Sequence, residues 1–136
     1  MRRYHHDMRL SVVSIPVLDQ DRALRFYRDH LGFGVHTDSP VDDAGNRWIA
    51  LVAPEGTKDV HLLLEPADDD TAVLMARRHE QGIPTTVFGC DDIDRDYELL
   101  RAAQVVFTME PTEMPYGGTD AVFEDSEGNL ICLHQD

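Results

Sequence analysis

The sequence is poor in basic residues, and it contains no long apolar run. It has 12 Lys and Arg residues against 26 Asp and Glu, Lys58 is its only lysine, and the formal net charge is −14. A surface of this sign repels phosphate backbones and anionic lipids, so we expect no nucleic-acid partner. No stretch reaches the roughly 18 apolar residues of a membrane span, and no apolar signal region follows the N-terminus. We therefore expect a cytoplasmic protein without a membrane partner.

Cysteine is also scarce, and the common catalytic and phosphate-binding motifs are missing. Cys90 and Cys132 form neither a disulfide framework nor a zinc-binding spacing. Each fits a small buried apolar residue better than a reactive thiol. The chain has no phosphate-binding glycine loop, no His-Glu-x-x-His and no dinucleotide fingerprint. Hydrophobic residues nevertheless make up 42% of 136 residues, which is enough for one domain with a real core.

What the chain does contain is an internal repeat. The segment from Asp19 to Arg28 aligns with the segment from Asp92 to Arg101 at an offset of 73 residues, and Asp, Asp, Arg and Arg recur at the same relative positions. Both segments follow a short apolar run and precede another. Each opens with an Asp that can cap a helix. The repeat predicts a duplicated structural unit.

The pattern of apolar residues gives the same order of elements in both halves. Strands are predicted at 10–17, 33–37, 47–52 and 60–65, and again at 85–90, 105–109, 119–124 and 130–134. A helix is predicted after the first strand of each half. The sequence therefore predicts one α+β domain over 8–136, built from two βαβββ modules at about 8–67 and 83–136, with a linker helix at about 70–82. The two curved mixed sheets would surround a concave cavity, and the apolar surface left uncovered predicts a homodimer.

Four segments in this order resemble a known superfamily: Val17-Leu18-Asp19, Leu31-Gly32-Phe33, Met109 to Met114, and Phe123 to Ile131. They look like the vicinal oxygen chelate superfamily of glyoxalases, bleomycin-resistance proteins and extradiol dioxygenases, and most like its glyoxalase-like branch. The resemblance covers residues 8 to 135. It implies a fold of paired βαβββ modules, and it implies a function less strongly, because one fold hosts many functions.

The resemblance also implies where a divalent metal would be held. Enzymes of the superfamily use His, Glu or Gln at four strand positions, which correspond here to Val12, Leu62, Thr85 and Cys132. A slip of one residue would place His61 at the fourth-strand position. These side chains do not make a usual ligand set. We therefore predict no metal and no other cofactor, with a divalent metal in an irregular site as the alternative.

Strand alternation predicts which other side chains share the concave face. Trp48 could be a stacking wall for a ligand, or it could belong to the core or the dimer interface. Tyr116 lies in a glycine-rich loop that could fold over the cavity. Only His134 and Cys132 are candidates for catalysis, and neither is assigned a role. The predicted ligand-binding residues are Val12, Ser14, Trp48, Leu62, Leu64, Thr85, Val87, Tyr116, Leu130, Cys132 and His134.

Three classes of function remain open. The first is a metal-free protein that binds a small, largely apolar molecule, because the predicted cavity suits such a ligand better than an anion. The second is an enzyme, either a lyase, isomerase or dioxygenase with an irregular metal site or a metal-free one that uses His134 or Cys132. The third is a structural or regulatory dimer with a vestigial pocket.

Overall fold

A computed structural model describes residues 7–136 and shows the predicted α+β architecture. The short first helix follows its cap Asp19, and in each half one helix lies between the first strand and three further strands, as the repeat predicts. The elements are β1 (Val12–Val17), α1 (Gln20–Arg25), β2 (Gly34–Pro40), β3 (Arg47–Val52), β4 (His61–Pro66), α2 (Asp69–Glu80), β5 (Thr86–Gly89), α3 (Ile93–Ala102), β6 (Phe107–Glu113), β7 (Thr119–Glu124) and β8 (Leu130–Gln135). No helix in the described part of the chain is long and apolar enough to cross a membrane.

Each module forms one four-stranded sheet, and the two sheets have the same topology. The strand orders are β1-β4-β3-β2 and β5-β8-β7-β6. In each sheet the first strand pairs in parallel with the last, and the other pairs are antiparallel. The matching helix starts are capped alike: Asp19 accepts from the Arg22 amide at 3.0 Å, and Asp92 accepts from the Arg95 amide at 3.1 Å. The fold class is confirmed.

The first helix does not remain a regular α-helix to its end. After α1 the backbone widens into one π-helical turn at Phe26–His30 and stops at Gly32, whose φ is +81°. The wider turn brings the consecutive residues Phe26 and Tyr27 both into the core, with their rings edge to face at 5.4 Å. A regular α-helix turns by about 100° per residue, so helical periodicity in the sequence gives no sign of this arrangement.

The helix-side layers of the two modules merge into one hydrophobic core. Tyr27 and Phe33 of module one contact Phe88 of module two, with ring centroids 6.5 and 5.5 Å apart. Ile15 and Ile131 belong to the same buried cluster. Because both helix-side faces are used in this core, the opposite face of each sheet points away from it.

A buried polar network reinforces the contact between modules. The Asp125 carboxylate accepts a hydrogen bond of 2.7 Å from the Tyr27 hydroxyl. Glu127 accepts from the Asp19 amide at 2.8 Å and forms a 2.8 Å ion pair with Arg22. Burial raises the pKa of Asp125, although its hydrogen bonds oppose that shift. For Glu127 burial also works against ionisation, but the hydrogen bond from Arg22 and others keep its pKa below the usual value.

The hydroxyl of Tyr27 gives a direct test of this network. Tyr27→Phe keeps the ring in the core but removes one donor to Asp125, which still accepts from the Glu127 amide and from Asn129. A hydrogen bond to a charged group contributes about 1.5–3 kcal/mol. We expect the free energy of unfolding in urea to fall by about 2 kcal/mol. Tyr97→Phe, on α3, is the matched control and should change it by less than about 0.5 kcal/mol. Equal effects of the two substitutions would contradict the proposed role of Asp125.

Candidate functional site

The module-one face is the side of the first sheet that points away from the core. It carries Val12, Ser14, Trp48, Ala50, His61 and Leu63, as the strand register shows. Trp48 is 43% exposed, although its neighbours on β3, Ile49 and Ala50, are buried. The ring of His61 lies 4.0 Å from the ring of His36, which sits in a bulge of β2. This face therefore presents a large aromatic ring and two imidazoles on an apolar floor.

The prediction for the fourth strand is wrong by one residue. In the parallel pairing of β1 with β4, Val13 lies beside Leu62 and Ile15 beside Leu64. Leu62 and Leu64 therefore point into the core with Ile15 and do not share the face of Val12 and Ser14. The error has a physical cause, since a shift of one residue along a strand moves every side chain to the other face. The side chains on the module-one face are those of His61 and Leu63.

The module-two face is the corresponding side of the second sheet. The register groups Val87, Val122, Leu130, Cys132 and His134 on it, together with Met109 and Asp120. Val87 is 60% exposed, whereas Leu130 and Cys132 are buried outside the core cluster. The predicted grouping of Val87, Leu130, Cys132 and His134 on one side of this sheet agrees with the register. Thr85 precedes β5, and its hydroxyl donates to Asn129 Oδ1 at 3.2 Å.

A polar cluster lies at one end of the module-two face. The Asp120 side chain is 6% exposed, and its two oxygens have different partners: Oδ1 lies 2.5 Å from His134 Nδ1, and Oδ2 accepts from the Tyr116 hydroxyl. Burial opposes ionisation of Asp120, but the hydrogen bonds from Tyr116 and His134 lower its pKa. The hydrogen bonds to Asp120 and then to Asp136 raise the pKa of His134. The cluster therefore favours the imidazolium form of His134 beside the Asp120 carboxylate more than a free histidine would.

The loop between β6 and β7 lies against the imidazole ring of His134. Gly118 has a φ of +78°, and a Cβ added to it would lie 2.6 Å from His134 Cε1. The loop closes on itself through the Met114 amide, which donates to the Gly118 carbonyl at 3.0 Å. The Tyr116 side chain is 70% exposed, and its hydroxyl attaches it to Asp120 on the sheet. Only glycine allows this close approach of the backbone to the ring.

The Cys132 thiol is set up poorly as a nucleophile. Burial, with a further contribution from Asp120, raises its pKa to about 11. The reactive form of cysteine is the thiolate, so at neutral pH this residue is almost entirely in the unreactive form. Its environment is that of a buried apolar side chain.

The residues at the four positions that the resemblance implies for a metal do not fit a divalent metal. By the 73-residue repeat, Val87 is equivalent to Ser14. Val87 pairs with Cys132 on β8, and Ser14 pairs with Leu63 on β4, so Leu63 is the module-one equivalent of Cys132. Two of the four positions, Val12 and Leu63, are thus hydrocarbon. The Thr85 hydroxyl is used by Asn129, and the Cys132 thiol is protonated. Across residues 7–136, no group of three or more His, Cys, Asp and Glu side chains is arranged to hold a metal ion.

Two small cavities lie on the part of the chain that the structure describes. One of about 160 Å³ lies beside Trp48 and Leu63 at the edge of the module-one face. Another of about 270 Å³ lies between the π-helical turn and the start of β6, near Phe26 and Val105, away from both faces. Small-molecule sites have volumes of roughly 300–1,000 Å³, so neither cavity alone would enclose a drug-sized ligand.

The paired βαβββ modules are the fold of a known class of protein. Comparison with known proteins identifies that class. The family model of the glyoxalase/bleomycin resistance protein/dioxygenase superfamily matches residues 9–133 of this sequence. This chain belongs to that superfamily, as its sequence motifs indicate.

Individual relatives are similar over nearly their whole length. The uncharacterized protein YurT of Bacillus subtilis is 43% identical over 129 residues, covering 94% of this chain and 99% of YurT. The crystal structure of UcmS2 superposes with a TM-score of 0.78 at 34% identity and covers 95% of this chain and 98% of its own. TnmS3, described as an antibiotic binding protein from Streptomyces sp. CB03234, superposes with a TM-score of 0.76 at 28% identity over 97% of this chain and 98% of its own.

The pKa of His134 provides a test of the polar cluster. Asp120→Asn removes the charge that stabilises the imidazolium, so the pKa of His134 should fall toward 6.5, as followed by NMR titration of its ring protons. Asp136→Asn should lower it less. The raised pKa stabilises the fold below pH 6.5, and this contribution is lost as the pH rises through the folded value. An unchanged His134 pKa in Asp120→Asn would mean that the pair carries no charge interaction.

Proposed function

We propose that the protein binds a small, largely apolar molecule without a metal, between the module-one face of one chain and the module-two face of a second copy. The observation that carries the proposal is the exposure of large apolar side chains on sheet faces that lie opposite the core. Trp48 is the main example. Exposed apolar residues grouped on one surface usually mark a ligand or protein contact.

Metal-free binding is supported by the donor set, since two of the family's four metal positions hold Val12 and Leu63. A small-molecule ligand is supported by the likeness to TnmS3, which is described as an antibiotic binding protein. We extend that property to this chain as part of the proposal. The two unpaired thiols, Cys90 and Cys132, are consistent with a reducing compartment, so we place the function in the cytoplasm.

The second copy is proposed because one chain leaves both faces open. Val12 lies on the edge strand of module one, Val87 lies on the edge strand of module two, and both are exposed. Covering these side chains would stabilise the assembly by roughly 25 cal/mol for each Å² of apolar surface removed from water. A cavity between two such faces would combine the Trp48 wall with the polar cluster of Asp120 and His134.

Ligand binding can be tested with the neutral, apolar probe N-phenyl-1-naphthylamine. We expect its fluorescence to rise on binding to the full chain, because the probe moves from water to an apolar site. Trp48→Ala should weaken this binding about tenfold, which corresponds to the loss of about 1.4 kcal/mol of aromatic contact. Val73→Ala, on the exposed side of α2, should leave the affinity unchanged. Equal affinities of the wild type and Trp48→Ala would exclude the module-one face as the site.

The assembly can be tested with a matched pair of arginine substitutions. Val87 and Val73 are 60% and 59% exposed, but only Val87 lies on the proposed interface. Sedimentation should show a dimer for the wild type and for Val73→Arg, and a monomer for Val87→Arg, because an unpaired charge in an apolar interface is costly. A monomeric wild type, or a dimeric Val87→Arg, would overturn the proposed arrangement.

A further inference from the structure

We propose that His134 recognises an acidic oxygen, a carboxylate or phenolate, on the otherwise apolar ligand of the module-two face. The inference rests on the proposed function, because the apolar body of the ligand would occupy the same face. It adds the chemical class of the ligand: an aromatic or aliphatic organic acid in place of a neutral hydrocarbon or a cation.

His134 already contacts a carboxylate through its outward-facing nitrogen, Nε2. The Asp136 Oδ1 atom lies 2.8 Å from His134 Nε2. The Asp136 side chain is otherwise fully exposed, so its carboxylate is held there mainly by the imidazole. An exposed ion pair of this kind contributes little, about 0–1 kcal/mol, so an incoming group can displace it readily. The Asp136 carboxylate marks the place that a ligand carboxylate would take.

The imidazole ring of His134 is held in one orientation by its neighbours. Asp120 is buried and lies 2.5 Å from Nδ1, so it fixes a proton on that nitrogen and directs Nε2 outward. Gly118 approaches the ring edge closely and restricts its rotation. In the protonated ring Nε2 is a donor, and a charge-assisted hydrogen bond to an anionic oxygen is stronger than one to a neutral acceptor. The geometry holds this donor in place before any ligand arrives.

The acidic cluster selects an anion and not a cation because its buried carboxylate is already occupied. Both oxygens of Asp120 already accept hydrogen bonds, one from His134 and one from Tyr116. The Asp120 carboxylate is buried behind these partners and is not free to receive a ligand ammonium. If a ligand carboxylate replaces that of Asp136, the charge of the cluster is unchanged, because Asp136 moves back to water.

The surface beside the His134 donor is apolar. Cys132, Val122 and Leu130 share the face with His134, and the Cys132 thiol is protonated. An apolar wall reduces the access of water and strengthens a charge-assisted hydrogen bond. The other groups that face the cluster are the Tyr116 hydroxyl and Thr112, which lies opposite Asp120 on β6. Neither of these carries a charge that would compete for the ligand.

The experiment compares three probes of one shape and different charge on the full wild-type chain: 2-naphthoate, 2-naphthalenemethanol and 2-naphthalenemethylammonium. Affinities are measured at pH 6.5 by titration calorimetry. We expect naphthoate to bind about tenfold more tightly than the alcohol, as a charge-assisted hydrogen bond predicts, and the ammonium to bind most weakly. The net charge of −14 alone would produce the opposite order, so the ranking is decisive.

Two variants locate the effect. His134→Gln keeps a hydrogen-bonding side chain without the charge, and it should abolish the preference for naphthoate over the alcohol. Asp136→Asn removes the competing carboxylate from an exposed position, so it should strengthen naphthoate binding several-fold and leave the alcohol unchanged. Because this variant does not touch the core, its result does not depend on whether His134→Gln remains folded.

The outcomes separate the two proposals. If the alcohol binds as tightly as naphthoate, the anion inference is wrong and apolar binding stands. If the ammonium binds best, the overall field of the protein, and not His134, determines charge preference. If naphthoate is preferred but neither variant alters the preference, the anion site lies elsewhere. If none of the probes binds, the proposed function fails as well.

Discussion

The contact of Tyr27 and Phe33 with Phe88 determines what each remaining surface of the molecule can do. These rings join the helix-side layers of both modules into one core. A sheet has two faces, and once the helix-side face of each is buried in this core, the other face is the one left to bind a ligand or a partner. The buried carboxylates Asp125 and Glu127 reinforce the same contact. They are satisfied by Tyr27 and Arg22, so they strengthen the joint and leave no charge free for chemistry.

The repeat in the sequence contained most of the information about the fold, because it is carried by residues with a local physical role. Asp19 and Asp92 cap helices, and Gly32 ends one, so their positions can be recognised without tertiary structure. The π-helical turn at 26–30 could not be predicted in this way. It places two consecutive aromatic residues in the core, and only the packing of the second module around Tyr27 explains why that is favourable.

The candidate site was predictable where strands follow a well-marked turn and was mispredicted where they do not. β8 follows the turn at Asn129, so the grouping of Leu130, Cys132 and His134 was correct. β4 follows a long connection, and its apolar run of Leu62, Leu63 and Leu64 has no alternation to fix the register. Asp120 was missed for another reason. An isolated Asp on a strand looks like a surface residue, and only the pairing of β7 with β8 brings it to His134.

The two modules have diverged in a way that favours a shared site. Ala50 pairs with Leu63 in module one as Val122 pairs with Cys132 in module two. Two residues earlier in the strand, Trp48 therefore occupies the place that Asp120 has in module two. Module one therefore presents an aromatic ring where module two presents a carboxylate that orients a histidine. The two features lie on faces of different modules, the aromatic ring on the first sheet and the oriented histidine on the second. The proposed site combines both features, and since the core keeps the two faces of one chain turned away from it, a second copy would supply the other face in that proposal.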